Sequence, residues 1–181
     1  RISTSPSLKV HCFKPMIKGV IFDLDLTLVD TSILENARKS RNWQEAYRLI
    51  PATYLYPGIH AAMRQIREKG IIMTIVSSSP HPYVERIAAY HKIPAGFIVG
   101  YHDAHPIKPH PAPMLKALEL MGEKAENVIS FGDRAIDMMA SKNAGIKAVA
   151  CLWGTQEKSL LLSSPYDQVI NSPSEIMQLL E

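Results

Sequence analysis

Cysteine is scarce in this chain. The 181 residues carry two, Cys12 and Cys151, far apart and without metal-ligand spacing. That argues against a disulfide-framed secreted scaffold and against a cysteine metal cluster, and makes a reducing, cytoplasmic setting the expectation. Long apolar runs are missing as well. Nothing approaches the roughly 20 residues a bilayer-spanning helix needs, so no membrane partner is expected. The first residues, Arg1-Ile-Ser-Thr-Ser-Pro-Ser7, lack the apolar core of a signal peptide. Glycine-rich phosphate loops are absent too: neither G-x-x-x-x-G-K-[ST] nor G-x-G-x-x-G occurs, which removes two common nucleotide-binding readings. Charge is nearly balanced, with 20 Lys and Arg against 17 Asp and Glu. A net +3 is too weak to argue for nucleic acid. The basic residues Arg38, Lys39, Arg41 and Arg48 read as a solvated helix face.

What is present is the composition of one globular domain. Met16 stands directly before Ile17-Lys-Gly-Val-Ile-Phe22 and is a candidate start of the natural protein, which would make residues 1–15 an upstream extension. Short apolar, β-branched runs at 20–24, 71–76, 97–99, 128–131 and 148–151, with a weaker one at 168–170, alternate with helical patterns. The helices are expected at about 33–49, 58–69, 81–91, 112–121, 135–144 and 173–180. Ile59, Ala62, Met63 and Ile66 form an apolar stripe closed by Gly70, the pattern of an amphipathic helix. Near-continuous apolar strands separated by helices predict an α/β, three-layer, Rossmann-like parallel sheet of five to six strands. One stretch breaks the rhythm. Residues 31–57, containing Trp43, Tyr47 and a Pro51–Pro57 segment, are too long for a simple connection and too short for a domain. They are expected to form a small helical cap insertion after the first strand, within a domain running from 16 to 181.

Ligands of open parallel sheets bind beyond the carboxyl ends of the strands. The sequence after each strand therefore matters. The first strand runs into Asp23-Leu-Asp25-Leu-Thr27, two carboxylates one residue apart and then a hydroxyl. Strand alternation puts Asp23 and Asp25 on one side, where like charges raise each other's pKa and call for a cation or hydrogen bonds. Ser77, Ser78 and Ser79 follow the second strand. The loop after the third leads to Lys108-Pro109, and the fourth runs into Gly132-Asp133-Arg-Ala-Ile-Asp137. Singly, each group has an ordinary reading as a turn, a helix cap or an exposed lysine. Together they suit phosphoryl transfer. The acids invite a hard dication such as Mg2+, and the lysine and hydroxyls would hold phosphate oxygens.

In that order, Asp23-Leu-Asp25-Leu-Thr27, the serine after the second strand, Lys108-Pro109 and Gly132-Asp133-x-x-x-Asp137 resemble the four motifs of the haloacid dehalogenase superfamily. The resemblance covers about Ile17 to Cys151. It implies that Asp23 is a nucleophile forming an aspartyl-phosphate and that Asp25 is the general acid and then base. It implies phosphate binding by Ser77, with Ser78 the alternative hydroxyl, and by Lys108. Mg2+ would be bound by Asp23, the backbone carbonyl of Asp25, and Asp133, with Asp137 as a supporting ligand. A carbon–halogen bond breaks without a proton donor, whereas an alkoxide leaving group needs one, so Asp25 points to a phosphatase or phosphomutase. A small cap counts against the mutase, which must shield its intermediate from water. A non-catalytic phosphate-binding module would be expected to lose Asp23 or Asp25. A receiver-type signalling domain places its acceptor acid and lysine on different strands from those here. Leu26 stands where many members have glycine. Members similar to phosphoglycolate phosphatase carry a much larger cap, so that substrate is not implied. The expected partner is a small phosphorylated substrate, or a larger one admitted by the small cap, and an oligomer is compatible with it. His81, His102, His105 and His110 fall near the strand ends as substrate contacts, with no zinc-like spacing.

Overall fold

The structure, a computed structural model, describes residues 16–181; the reading of residues 1–15 as an extension, and Cys12, lie outside them. In chain order the elements begin with β1 (Gly19–Phe22), β2 (Val29–Asp30), α1 (Glu35–Lys39), α2 (Trp43–Leu49), β3 (Tyr54–Leu55), α3 (Ile59–Glu68), β4 (Ile72–Val76) and α4 (His81–Tyr90). They continue with β5 (Phe97–Val99), α5 (Ala112–Met121), β6 (Val128–Gly132), α6 (Ala135–Asn143), β7 (Lys147–Cys151), α7 (Lys158–Leu162) and β8 (Gln168–Ile170). Six strands pair in parallel in the order β5-β4-β1-β6-β7-β8. This is the doubly wound arrangement, with the order reversing beside β1.

Alternation along β1 explains the three layers. Val20 and Phe22 belong to one buried cluster with Ile59, Met63 and Ile66 of α3 and Tyr83, Val84 and Ile87 of α4. Ile21 points the other way, into a cluster with Met114, Ala117 and Met121 of α5 and Ala140 of α6. Each fully buried Ile, Met or Phe contributes about 1.5–3 kcal/mol. β1 is in register with β4 and β6, Phe22 lying opposite both Ile75 and Phe131. The Phe22 and Phe131 rings stack at 4.8 Å, directly beneath the strand ends. At the other end of β1, Gly19 packs closely under α5, where an added Cβ would fall 2.9 Å from Met121 Sδ.

Three departures from expectation have physical causes. The first strand ends at Phe22, not Leu24. The Leu24 carbonyl accepts from the N–H groups of Thr27, Leu28 and Val29, which turns the chain immediately after Asp23. The helix expected at 33–49 is broken in two. Arg41 adopts a left-handed φ of 55°, and Asn42 caps α2 by accepting from the Glu45 N–H at 3.2 Å. The segment expected as a terminal helix is a 3-10 turn, Pro173–Leu179. Two elements were not foreseen: α7, and the antiparallel β2–β3 pair that ties Val29 to Leu55 and Asp30 to Tyr54. That pair closes the base of the stretch between residues 31 and 53.

Beyond β7 the chain returns to β1. Trp153 Nε1 donates to the Thr27 carbonyl at 2.9 Å, and an added Cβ on Gly154 would fall 2.0 Å from the Leu26 carbonyl oxygen. Leu26 itself holds a φ of 62°, the left-handed region that glycine fills more easily. The Asp23–Leu28 turn is thus pressed into shape from outside. Gly154→Ala should therefore destabilise the fold by about 1–3 kcal/mol, as overpacking against backbone does. Urea denaturation would check this, an unchanged midpoint being the contrary result.

Candidate active site

The strand ends meet in one cavity of about 790 Å3, bordered by Asp23, Asp25, Ser77, Ser78, Lys108, Asp133 and Asp137. The acids, serines and lysine singled out from the sequence therefore border the same space, while Thr27 is buried behind them. At its floor sits the Lys108 ammonium, buried, donating to Asp23 Oδ1 at 2.8 Å, Asp137 Oδ1 at 2.6 Å and the Val76 carbonyl at 3.0 Å. All three donor positions of the ammonium are used. Asp133 Oδ1 accepts from Thr27 Oγ1 at 2.9 Å, which locks the β6 exit to the β1 exit. Asp137, on the first turn of α6, accepts from the Arg134 N–H through Oδ2 at 3.0 Å. This capping carboxylate also benefits from the positive end of the helix. Gly132 permits it: an added Cβ there would lie 2.5 Å from Asp137 Cβ.

Burial sets the electrostatics. It pushes the Asp23 carboxyl up to about 7, Lys108 pulls against the rise, and Asp137 and Asp25 add to it. Asp133 is pushed well above the usual carboxylate range, first by burial and then by Asp23 and Asp137. Burial also works against the charge of Lys108, but Asp137 and Asp23 outweigh it and raise its pKa. Carboxylate oxygens of Asp23, Asp133 and Asp137 lie within 4.8 Å of one another. Asp137 already uses Oδ1 on Lys108 and Oδ2 on a backbone N–H, so it supports the cluster. Asp23 and Asp133 each keep one oxygen without a described hydrogen bond. Crowded, buried, oxygen-only and short of positive charge, the site fits a hard dication such as Mg2+.

Asp25 stands apart from that cluster. Thr31 Oγ1 and Tyr83 OH donate to its Oδ1 at 2.8 and 2.7 Å. Ser79 Oγ donates to Oδ2 at 3.0 Å, and Arg38 Nη2 meets the same oxygen at 3.0 Å. Its side chain is therefore not a ligand candidate, which leaves the backbone carbonyl as its contribution to any metal. Sequence reasoning missed all four partners. Arg38, expected to be solvated, faces the cavity, as do Lys39 and its partner Glu35, whereas Arg48 pairs with Glu45 away from it. Tyr83 looks like one more core aromatic on α4, and no local signal marks its hydroxyl. Ser79 was visible only as the third serine of a run. Ser77 is buried and accepts from the Ser79 N–H at 3.1 Å; Ser78 is half-buried on the cavity wall. Of the described histidines only His102 borders the cavity. His81 pairs with Asp103, His105 faces Tyr101 and His110 accepts from the Ala112 N–H, so none of these forms a metal group with the acids.

The chain is similar to known proteins in sequence and in fold. Residues 33–151 match a family model described as haloacid dehalogenase-like hydrolase, a span that begins just past Asp23 and Asp25. Pyrophosphatase PpaX of Bacillus mycoides is 29% identical over 127 residues, 69% of this chain and 59% of its own length, so the chain spans about three fifths of that relative. Phosphoglycolate phosphatase of Aquifex aeolicus is 29% identical over 83% of this chain and 74% of its own. Among solved structures, a predicted phosphoglycolate phosphatase from Haemophilus somnus superposes with a TM-score of 0.80 at 19% identity, over 92% of this chain and 99% of that one. Among the described residues no helix is long and apolar enough to cross a membrane.

The raised carboxyls carry a sign that can be measured. A group whose folded pKa is raised binds protons more tightly folded than unfolded. Stability of the metal-free protein should accordingly fall as pH rises from about 4, the unfolded carboxylate value, to about 7. Mg2+ should offset that loss, so its stabilisation in thermal melts should be larger at pH 7.5 than at pH 5 and should vanish in Asp133→Asn. Equal Mg2+ shifts at both pH values would contradict the assignment.

Proposed function

The chain belongs to the haloacid dehalogenase-like hydrolase family, and on that premise we propose that it is a Mg2+-dependent phosphatase acting on a phosphomonoester through an aspartyl-phosphate at Asp23. The observation that carries the reading is the Lys108 ammonium, buried between Asp23 and Asp137 at the mouth of the central strands, with Asp133 beside it. A lysine fixed on one oxygen of an acid steers the other toward an incoming electrophile.

In this reading Asp23 attacks phosphorus while the bond to the leaving oxygen breaks. Asp25 delivers a proton to that oxygen. A water molecule then attacks the aspartyl-phosphate, and Asp25 takes its proton, which restores Asp23 and frees inorganic phosphate. Lys108 and the Ser77 or Ser78 hydroxyl would hold the phosphoryl oxygens. Asp23, Asp133 and the Asp25 carbonyl would hold Mg2+, with Asp137 behind them, and the bound cation supplies the positive charge that keeps Asp23 ionised and draws charge from phosphate. The short insertion formed by α1 and α2 serves as the cap, lining one wall of the cavity through Arg38 and Trp43. So small a cover favours hydrolysis over mutase chemistry, because water reaches the intermediate. The relatives named as pyrophosphatase and phosphoglycolate phosphatase support a small phosphorylated substrate.

Phosphate release from phenyl phosphate should require Mg2+ and stop with EDTA. Asp23→Asn should lower kcat by at least about a thousandfold, as loss of a nucleophile does; turnover within tenfold of the parent would refute the mechanism. Asp25→Asn should separate leaving groups. Its rate should fall far more on an alkyl phosphate, whose alkoxide needs a proton, than on p-nitrophenyl phosphate, and an equal fall on both would deny Asp25 the acid role.

A further inference from the structure

The hydrogen bonds around Asp25 leave it fully occupied. A carboxylate offers about four acceptor positions. Here four donors take them: Thr31 and Tyr83 on one oxygen, Ser79 and Arg38 on the other. For Asp25 to exchange a proton with a leaving group, one donor has to withdraw. Thr31 and Tyr83 are completely buried and Ser79 nearly so. Arg38 differs. Its side chain is 26% exposed, it borders the cavity, and it rides on the five-residue helix α1. Its guanidinium is also underused, with one nitrogen at 3.0 Å from Asp25 and another at a long 3.4 Å from Thr31 Oγ1. A guanidinium fork is best satisfied by two oxygens of one anion.

The second observation is a charge left over. Five cations line the cavity: Arg38, Lys39, Arg41, Lys108 and Arg134. Lys39 pairs with Glu35, Lys108 with Asp23 and Asp137, Arg134 with Glu157, and Arg38 with Asp25. Arg41 alone has no carboxylate partner among the described residues. It sits at the left-handed turn that breaks the cap helix, three residues after Arg38, and its N–H donates to the Arg38 carbonyl at 3.0 Å.

We propose that Arg38 and Arg41 form a subsite for a second anionic group, a carboxylate or phosphate carried on the leaving side of the substrate, and that its arrival draws Arg38 off Asp25. The subsite deepens the phosphatase reading and rests on it. It makes the preferred substrates phosphomonoesters with a second negative charge, and it couples their binding to the release of the proton-transfer residue. A substrate without that charge has nothing to draw Arg38 away, so Asp25 is freed less often and turnover is slower.

The test uses pairs of alkyl phosphates, one ending in a carboxylate and the other in the isosteric primary amide, at two chain lengths. The ratio of kcat/KM for carboxylate over amide is read for each protein, because both members see the same folded fraction. The parent should prefer a carboxylate by about tenfold, the scale of one charge-assisted contact. Arg38→Gln and Arg41→Asn, the latter chosen because asparagine tolerates the left-handed turn, should each bring the ratio to about one. Arg38→Lys should keep part of the preference. A parent ratio near one, or a preference that survives in both variants, overturns the subsite and leaves the phosphatase reading standing. A parent that hydrolyses neither member nor phenyl phosphate overturns the phosphatase reading, and the subsite with it.

Discussion

A single buried ammonium organises this molecule. Lys108 is almost wholly out of water, yet it is flanked by two carboxylates and a carbonyl, so burial is compensated within hydrogen-bond distance. The compensation is mutual. Without that charge, Asp23, Asp133 and Asp137 would crowd at the strand ends with no cation of the protein's own among them. Removing one partner of such a buried set typically costs 3–5 kcal/mol, because the charge left behind is unpaired. The loop that brings Lys108 in from β5, the first turn of α6 that offers Asp137, and the exit of β1 are thereby bound to one another. The stacked Phe22 and Phe131 rings hold the strands beneath them at the same spacing.

Much of this was legible from the chain. Four strands that exit into acids, hydroxyls or a lysine can be found because strand length and apolar run coincide, and because function at an open sheet collects at those exits. Asp23, Lys108, Asp133 and Asp137 were found in that way. The surroundings of Asp25 were not. Thr31, Ser79, Tyr83 and Arg38 come from a turn, a serine run, a core helix and a cap helix, and only the fold brings them to one carboxylate. Arg38 misled for a specific reason. Periodicity over 33–49 treats the segment as one helix with one wet face, whereas the left-handed Arg41 ends α1 early, and Arg38 on that short helix reaches Asp25. The β2–β3 pair escaped because two-residue strands carry no periodic signal.

The two acids of the first motif thus live in different electrostatic settings within the same cavity. Asp23 lies in a crowd of like charge moderated by one lysine. Asp25 lies in a crowd of donors moderated by one arginine. Neighbouring carboxylates driven toward different surroundings are what a two-step transfer asks for, one to form the bond and one to move the proton. The α1–α2 segment bears on this through Arg38, which it carries to Asp25.

The hydrogen bond from Trp153 to Thr27 has a consequence for how the molecule is made. It links positions 126 residues apart, and the Thr27–Asp133 bond spans 106. The Asp23–Leu28 turn is synthesised well before the parts that shape it, Asp133 at the exit of β6 and the Trp153–Gly154 clamp beyond β7. Such long loops must close before their contacts reward them. Between the synthesis of Asp23 and that of Gly154 the chain therefore holds Asp23 and Asp25 without the contacts that fix their turn.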